Sequence, residues 1–316
     1  MSLFGNDEIK QVVEKSELNK TLTMSDVEIE HYKKFLIYDD ISDIVNKTMV
    51  GNSIDILPKI KSEIFNLVVA DPPYNIDKKF KDFKFSSISE KEYMSWSDSW
   101  IKECYRTLKN NGSMYICCDW KTSQLLHSIL KDYFFIQNRI TWEREKGRGC
   151  KNNWKNNIED IWFVTKSKNY YFNIDAVMIK RKVNFGYHNV DGSNRDWDVE
   201  NGVKTRNTYP SNVWTDITIP FWSMIENTEH PTQKPEKLVA KLICASSQQG
   251  DFVFDPFLGS GTTSVVSKKL NRKYFGIELQ EYYACLCEKR IDMSNSNAKI
   301  QGYENGIFLD RNINLK

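Results

Sequence analysis

Asp71-Pro72-Pro73-Tyr74 follows an apolar run, Phe65–Ala70 (FNLVVA), and sets a group of hydrogen-bond acceptors beside an aromatic plane. Proline lacks a backbone N–H, so paired prolines stop a strand and leave carbonyls that only accept. An ionised Asp71 adds a carboxylate, again an acceptor only. Acceptors that converge on one point match an exocyclic amine, which offers two N–H donors. The Tyr74 ring gives a planar base a face to stack on. Taken by itself, the tetrapeptide equally describes a proline-terminated strand with a helix-capping Asp. Its place at the carboxyl end of a strand favours the chemical reading, because open α/β sheets bind ligands there.

A second group, Asp255-Pro256-Phe257-Leu258-Gly259-Ser260-Gly261-Thr262-Thr263, follows a strand and opens a helix. Gly259 and Gly261 permit a tight turn and a close ligand approach to the backbone. The helix start offers unpaired N–H groups to an anion such as a carboxylate. Glu278, 17 residues beyond Gly261, ends the next strand, where an acidic residue would hold ribose hydroxyls. The context points to a nucleoside-type cofactor. No G-x-x-x-x-G-K-[ST] occurs, and Ser264 stands where the third glycine of the dinucleotide pattern belongs, which argues against a P-loop and against NAD. A third group, His230-Pro231-Thr232-Gln233-Lys234-Pro235, precedes a helix at Glu236. Pro235 suits a helix start, and Lys234 is in reach of an anionic cofactor group.

These groups need a scaffold, and the chain reads as one. Strands are expected at Lys47–Val50, Phe65–Ala70, Ser113–Cys118, Phe135–Trp142, Asp160–Thr165, Phe252–Phe254 and Lys273–Ile277. Helices are expected at Ser53–Ile60, Glu92–Leu108, Thr122–Leu130, Glu236–Ser246, Thr262–Leu270 and Gln280–Ile291, with Lys109–Gly112 as a turn. The β–α alternation is that of a doubly wound α/β sheet. Residues 1–46 read as a polar extension with helical periodicity around Val27–Leu36. Residues 173–229 lose apolar periodicity and read as a loop-rich insertion outside the core, and residues 293–316 read as a polar tail.

Bulk properties agree with an ordinary globular protein. The 316 residues carry 44 basic and 42 acidic side chains, so DNA binding would need charge gathered on one face. Seven cysteines without a C-x-x-C pair argue against disulfides and a zinc knuckle, and no metal is expected. The N-terminus lacks the basic-then-apolar pattern of a signal peptide and no apolar run reaches membrane length, so a cytoplasmic location off the membrane is expected.

Together, D-P-P-Y, then H-P-T-Q-K-P-E, then D-P-F-x-G-S-G-T-T resemble the β class of S-adenosylmethionine-dependent DNA adenine-N6 methyltransferases, of restriction–modification or orphan type. The match covers about residues 47–172 and 230–292, and the order of the motifs around a middle insertion is that of the class. The resemblance implies a Rossmann-like methyltransferase sheet of seven strands, one antiparallel. Residues 47–172 would be its catalytic half, 230–292 its cofactor half and 173–229 a target-recognition insertion. It implies that Asp71 and the carbonyl of Pro72, in the Pro72-Pro73 turn, hold the amine of a flipped adenine stacked on Tyr74. Phe257, Gly259, Ser260, Gly261, Thr262 and Thr263 would line the S-adenosylmethionine site. Asp255 and Lys234 would lie near its methionine end and Glu278 at its ribose. The family usually has Gly-Asp-(Ser/Cys) upstream of D-P-P-Y; here Gly51-Asn52-Ser53 stands, so Asn52 and Ser53 are the matching cofactor contacts.

Double-stranded DNA would be the substrate, with the base flipped out to be reached. Basic residues on aromatic-rich segments would meet it: Arg144, Lys146, Arg148 and Lys151 in one stretch, and Lys180, Arg181, Lys182, Arg195, Lys204 and Arg206 in the insertion. A separate cognate endonuclease and a homodimer are compatible with the class. Three other readings stand beside this one. A cytosine-N4 methyltransferase uses the same acceptors but usually begins its motif with Ser. Enzymes acting on RNA or a glutamine amide usually begin with Asn and reverse the motif order. A binding module without catalysis would not need Asp71 and Tyr74 intact.

Overall fold

The computed structural model describes residues 18–79, 84–144, 151–311 and 313. Its centre is a sheet of nine strands. Their order is Leu36–Ile37, Lys47–Val50, Lys273–Glu278, Phe252–Asp255, Phe65–Ala70, Leu108–Cys118, Ile158–Thr165, Phe135–Glu143 and Val213–Trp214. Ile158–Thr165 runs antiparallel to both neighbours, and every other pairing in this sheet is parallel. The seven strands of four or more residues are thus the doubly wound, Rossmann-like sheet with one reversed strand that the motifs imply. The two-residue strands at its edges are additions.

Strand alternation builds a core on each face. Val68 and Ala70 pack with Trp100, Ile101 and Leu126 on one side, while Leu67 and Val69 pack with Tyr115, Leu238 and Leu242 on the other. The first layer includes stacked rings of Phe65 and Phe254, whose centroids lie 4.4 Å apart. Helix Glu90–Thr107 starts at a capping box between Ser89 and Glu92. It ends directly in strand Leu108–Cys118, so Lys109–Gly112 is strand rather than the expected turn; the register shift against Phe65–Leu67 absorbs the extra residues.

Residues 173–229 hold more order than their irregular pattern indicates. Ile179–Lys182, Asp198–Glu200 and Val203–Thr208 form an antiparallel ribbon, and the chain's end adds Ile307–Leu309 and Tyr303–Glu304 to it. Val177, Ile179, Ile217 and Phe308 are buried against helix Glu236–Ser246, so this segment does contribute to the core. A buried ionic group fastens the layers: Asp216 lies 2.7 Å from Lys241 and 2.8 Å from Lys237, and Lys237 also donates to the Leu309 carbonyl. The described part of the N-terminal segment is docked as well. Helix Asp26–Tyr32 and Leu36 pack on helix Glu281–Met293. The six described cysteines are free and buried; Cys150 lies outside the described residues.

Candidate active site

Four neighbouring parallel strands deliver the D-P-P-Y turn, the glycine motif, Glu278 and Gly51-Asn52-Ser53 to one end of the sheet. Phe65–Ala70 ends at Asp71, Phe252–Asp255 at Asp255, Lys273–Glu278 at Glu278, and Lys47–Val50 leads into Gly51-Asn52-Ser53. They surround one cavity of about 540 Å³, a volume suited to a nucleoside-sized ligand. Asp71, Pro72, Pro73, Tyr74, Lys234, Asp255, Phe257, Gly259, Ser260, Thr262, Thr263 and Glu278 all line it. The acceptor cluster and the glycine turn, 188 residues apart in sequence from Asp71 to Gly259, therefore share a single chamber.

At one end, Asp71 is bracketed by donors. Lys234 Nζ lies 2.6 Å from its Oδ2 and the Tyr74 hydroxyl lies 3.1 Å from its Oδ1. Burial pushes the Asp71 carboxyl up, Lys234 pulls it down, and Glu159 pushes it up again. Burial works against the Lys234 charge, but Asp71 and Glu159 outweigh it and raise the ammonium above its ordinary value. The two proline carbonyls differ. Tyr93, on helix Glu90–Thr107, donates to the Pro73 carbonyl at 3.1 Å, whereas no described residue donates to that of Pro72. Pro72 is thus the carbonyl left to accept from a ligand.

Lys234 lines the cavity beside the acceptor cluster. Its ammonium is engaged with Asp71 and, at 3.3 Å, with Glu159, and it stands 5.4 Å over the Tyr74 ring. Glu159 and Tyr93 escaped the sequence reading. Glu159 and the buried Asp160 lie near the start of strand Ile158–Thr165, and paired acids before an apolar run were the available signal.

At the other end, Asp255 accepts from Phe257 N at 2.9 Å and from Thr263 Oγ1 at 2.6 Å. Glu278 accepts from Gly259 N at 2.7 Å and from Gln280 N at 2.9 Å. Burial raises both carboxyls to about 7. Asn52 lines the cavity and caps the short helix Ser53–Ile56 through Ile54 N, while Ser53 donates to the Pro256 carbonyl and so joins two motifs. Buried His230 is pushed down to about 3, chiefly by burial and then by Lys234, so it stays neutral beside Gly259.

The two glycines divide their work. Gly259 (φ +57°) lines the cavity, and a Cβ there would lie 3.1 Å from His230 Cε1. Gly261 (φ +83°) does not line it; its missing Cβ makes room for Cys287, whose Sγ would be 2.1 Å away. Gly261 was expected to meet the ligand but instead lets helix Glu281–Met293 pack close. Arg290 on that helix is buried and donates to the Ser260 carbonyl at 2.8 Å and to Thr262 Oγ1 at 3.1 Å, which clamps the turn.

Of the basic residues expected to meet DNA, Lys180, Arg181, Lys182, Lys204 and Arg206 sit on the paired strands Ile179–Lys182 and Val203–Thr208. Lys180 pairs with Glu200 at 2.6 Å, Arg206 with Asp196 at 3.1 Å, and Arg181 approaches Asp310 at 3.8 Å. Arg144 lines the cavity and pairs with Glu159 at 2.6 Å. Lys151, Lys182, Arg195 and Lys204 are exposed, the last lying 4.7 Å over the Trp197 ring. Lys146 and Arg148 lie outside the described residues. Among the described residues no cluster of His, Cys, Asp or Glu is placed to hold a metal ion, and no helix is long and apolar enough to cross a membrane.

A Rossmann-like sheet with one cavity running from an acceptor cluster to a glycine turn defines an enzyme that moves a small group from a nucleoside-type cofactor on to an amine. The chain belongs to the DNA methylase family of N6 and N4 amino-methyltransferases, whose family pattern matches residues 65–289. It is 36% identical over 252 residues to the DNA adenine methyltransferase YhdJ of Escherichia coli K12, covering 79% of this chain and 84% of that one. It is 32% identical over 249 residues to the type II methyltransferase M.HpaI of Haemophilus parainfluenzae, covering 78% and 74%. Among solved structures, the PvuII cytosine-N4-specific DNA methyltransferase superposes with a TM-score of 0.56 at 20% identity, over 84% of this chain and 95% of that one. A DNA modification methylase of Thermus thermophilus, solved with S-adenosyl-L-methionine, gives 0.54 at 19%, over 84% and 98%. The protein is an S-adenosylmethionine-dependent DNA methyltransferase of the restriction–modification kind. The cavity suits that cofactor: it offers Phe257 as an apolar face, Glu278 as an acceptor, and backbone N–H groups at the start of helix Thr262–Lys269.

Proposed function

We propose that the protein methylates the N6 amino group of an adenine flipped out of double-stranded DNA. The observation that carries this reading is the Asp71–Tyr74 cluster: the Asp71 carboxyl, paired with Lys234, and the open Pro72 carbonyl face the same cavity as the glycine turn. An aromatic amine is a poor nucleophile because its lone pair is delocalised into the ring. Two acceptors on its hydrogens favour a pyramidal nitrogen and localise that pair. Tyr74 carries the base on its face, and Lys234 keeps Asp71 ionised. The bound S-adenosylmethionine supplies a methyl group already activated by a sulfonium, so the residues' task is alignment in a dry pocket.

Glu278 would accept from the ribose hydroxyls, with Asp255, Phe257, Ser260, Thr262 and Thr263 shaping the same half of the cavity. Residues 173–229 would recognise the target, with Lys151, Lys182, Arg195 and Lys204 as phosphate contacts. The choice of adenine rests on Asp71 where cytosine-N4 enzymes usually carry Ser, and on the similarity to YhdJ. Cytosine N4 is the second reading, since the same acceptors fit that amine. Incubating DNA with the purified protein and digesting it to nucleosides decides between them by mass spectrometry. N6-methyladenine is the expected product, and N4-methylcytosine alone refutes the adenine reading.

A further inference from the structure

We propose that Glu159 is a positioning residue of methyl transfer, which fixes Tyr74 and Lys234 against Asp71 from the reversed strand while Arg144 cancels its charge. Glu159 is 5% exposed and lies at the start of Ile158–Thr165, across the cavity from the D-P-P-Y turn. Its Oε2 is 3.1 Å from the Tyr74 hydroxyl and 3.3 Å from Lys234 Nζ, while its Oε1 is 2.6 Å from Arg144 Nη1. The Tyr74 hydroxyl stands equally far, 3.1 Å, from Asp71 Oδ1. The result is a closed figure of two carboxylates, an ammonium, a guanidinium and a phenol. Its formal charges sum to zero, so each buried acid keeps a counter-ion.

The arrangement does two things. It holds the Tyr74 ring by its hydroxyl, which sets the plane on which the base rests. It also places a second negative charge near Asp71, which Arg144 neutralises from the cavity rim, where its side chain is 40% exposed. Arg144 is therefore part of the site's charge balance, and its backbone N–H, bonded to Asn157 O at 2.6 Å, ties it to the residue before strand Ile158–Thr165. The groups facing Asp71 are Tyr74 from its own turn, Glu159 with Arg144 behind it, Cys117 from Leu108–Cys118, Lys234 from the loop before Glu236, and Asp255 from the adjacent strand.

The inference rests on Asp71 as the amine acceptor, and the experiment separates the two. Single-turnover methyl transfer to DNA is followed from pH 5.5 to 9 for wild type, E159Q, E159D, E159A, R144Q, E159Q/R144Q and D71A. Cofactor Kd and thermal melts serve as fold controls. Glutamine keeps the contacts to Tyr74 and Lys234 but not the charge, so in E159Q the acidic limb moves down by about half to one pH unit. In R144Q it moves up by about the same amount, and the double variant, with both charges gone, returns close to wild type. E159A lowers the transfer rate by about 10- to 100-fold with cofactor Kd unchanged, and E159D recovers part of it. Identical limbs in all variants, or an E159A defect seen only in the melt or in Kd, overturn the positioning role. If D71A abolishes transfer while the Glu159 variants match wild type, this inference alone fails. If D71A retains transfer, the assignment of Asp71 fails with it.

Discussion

Lys234 and Asp71, 163 residues apart in the chain, form an ion pair at 2.6 Å. The pair joins the H-P-T-Q-K-P loop to the D-P-P-Y turn and decides the state of the acceptor. Burial favours a protonated Asp71, and Lys234 opposes it.

Lys234→Met removes that opposition. Asp71 works as an acceptor only when ionised, so activity is lost as pH falls through its value in the folded protein. Without the ammonium that value rises, and the acidic limb of kcat/KM moves to higher pH. A nearby opposite charge is worth about 1–3 pKa units, so the limb moves up by about that much and activity lost on its acidic side recovers in alkali. A pH–rate profile from 5.5 to 9 checks this; an unmoved limb contradicts it.

The site was legible where chemistry is written in consecutive residues. D-P-P-Y and the glycine turn each sit after one apolar strand, so pattern and placement agree. Interactions that cross the sheet were not legible. Glu159 is one of two adjacent acids at the start of a strand, Tyr93 reads as an ordinary core residue of an amphipathic helix, and the Lys234 contact depends on a fold-level approach. The second sheet was missed for a related reason. Its strands Ile307–Leu309 and Ile179–Lys182 are three and four residues long and far apart in sequence, too short for a period-2 pattern to register.

Cofactor binding should titrate near neutrality. Glu278, raised by burial to about 7, accepts ribose hydroxyls best as a carboxylate. In the free protein it is protonated below that value, so affinity for S-adenosylmethionine weakens as pH falls from 8 to 6, by up to about tenfold per unit. Asp255 titrates in the same window but is held by Thr263 and Phe257 N. Calorimetry on wild type and Glu278→Gln assigns the effect: the variant binds weakly with a flat pH dependence. A variant that keeps the full slope would move the effect to Asp255.

The two glycines should fail differently. Gly261→Ala drives a Cβ to 2.1 Å from Cys287 Sγ and 3.0 Å from its Cα at φ +83°. Strain and overpacking together cost about 2–5 kcal/mol, so the melting temperature drops. Gly259→Ala meets the His230 ring at 3.1 Å on the cavity wall and should weaken cofactor binding more than it lowers the melting temperature. Equal loss of stability in both variants, measured by thermal melts beside cofactor titration, contradicts this division.

The most direct measurement compares Asp71→Ala with wild type for transfer of a labelled methyl group to DNA and for cofactor affinity. With one acceptor of the amine gone, transfer falls by at least about 10²- to 10³-fold while S-adenosylmethionine still binds within a few-fold of wild type. Transfer within about tenfold of wild type would mean that the amine is held elsewhere.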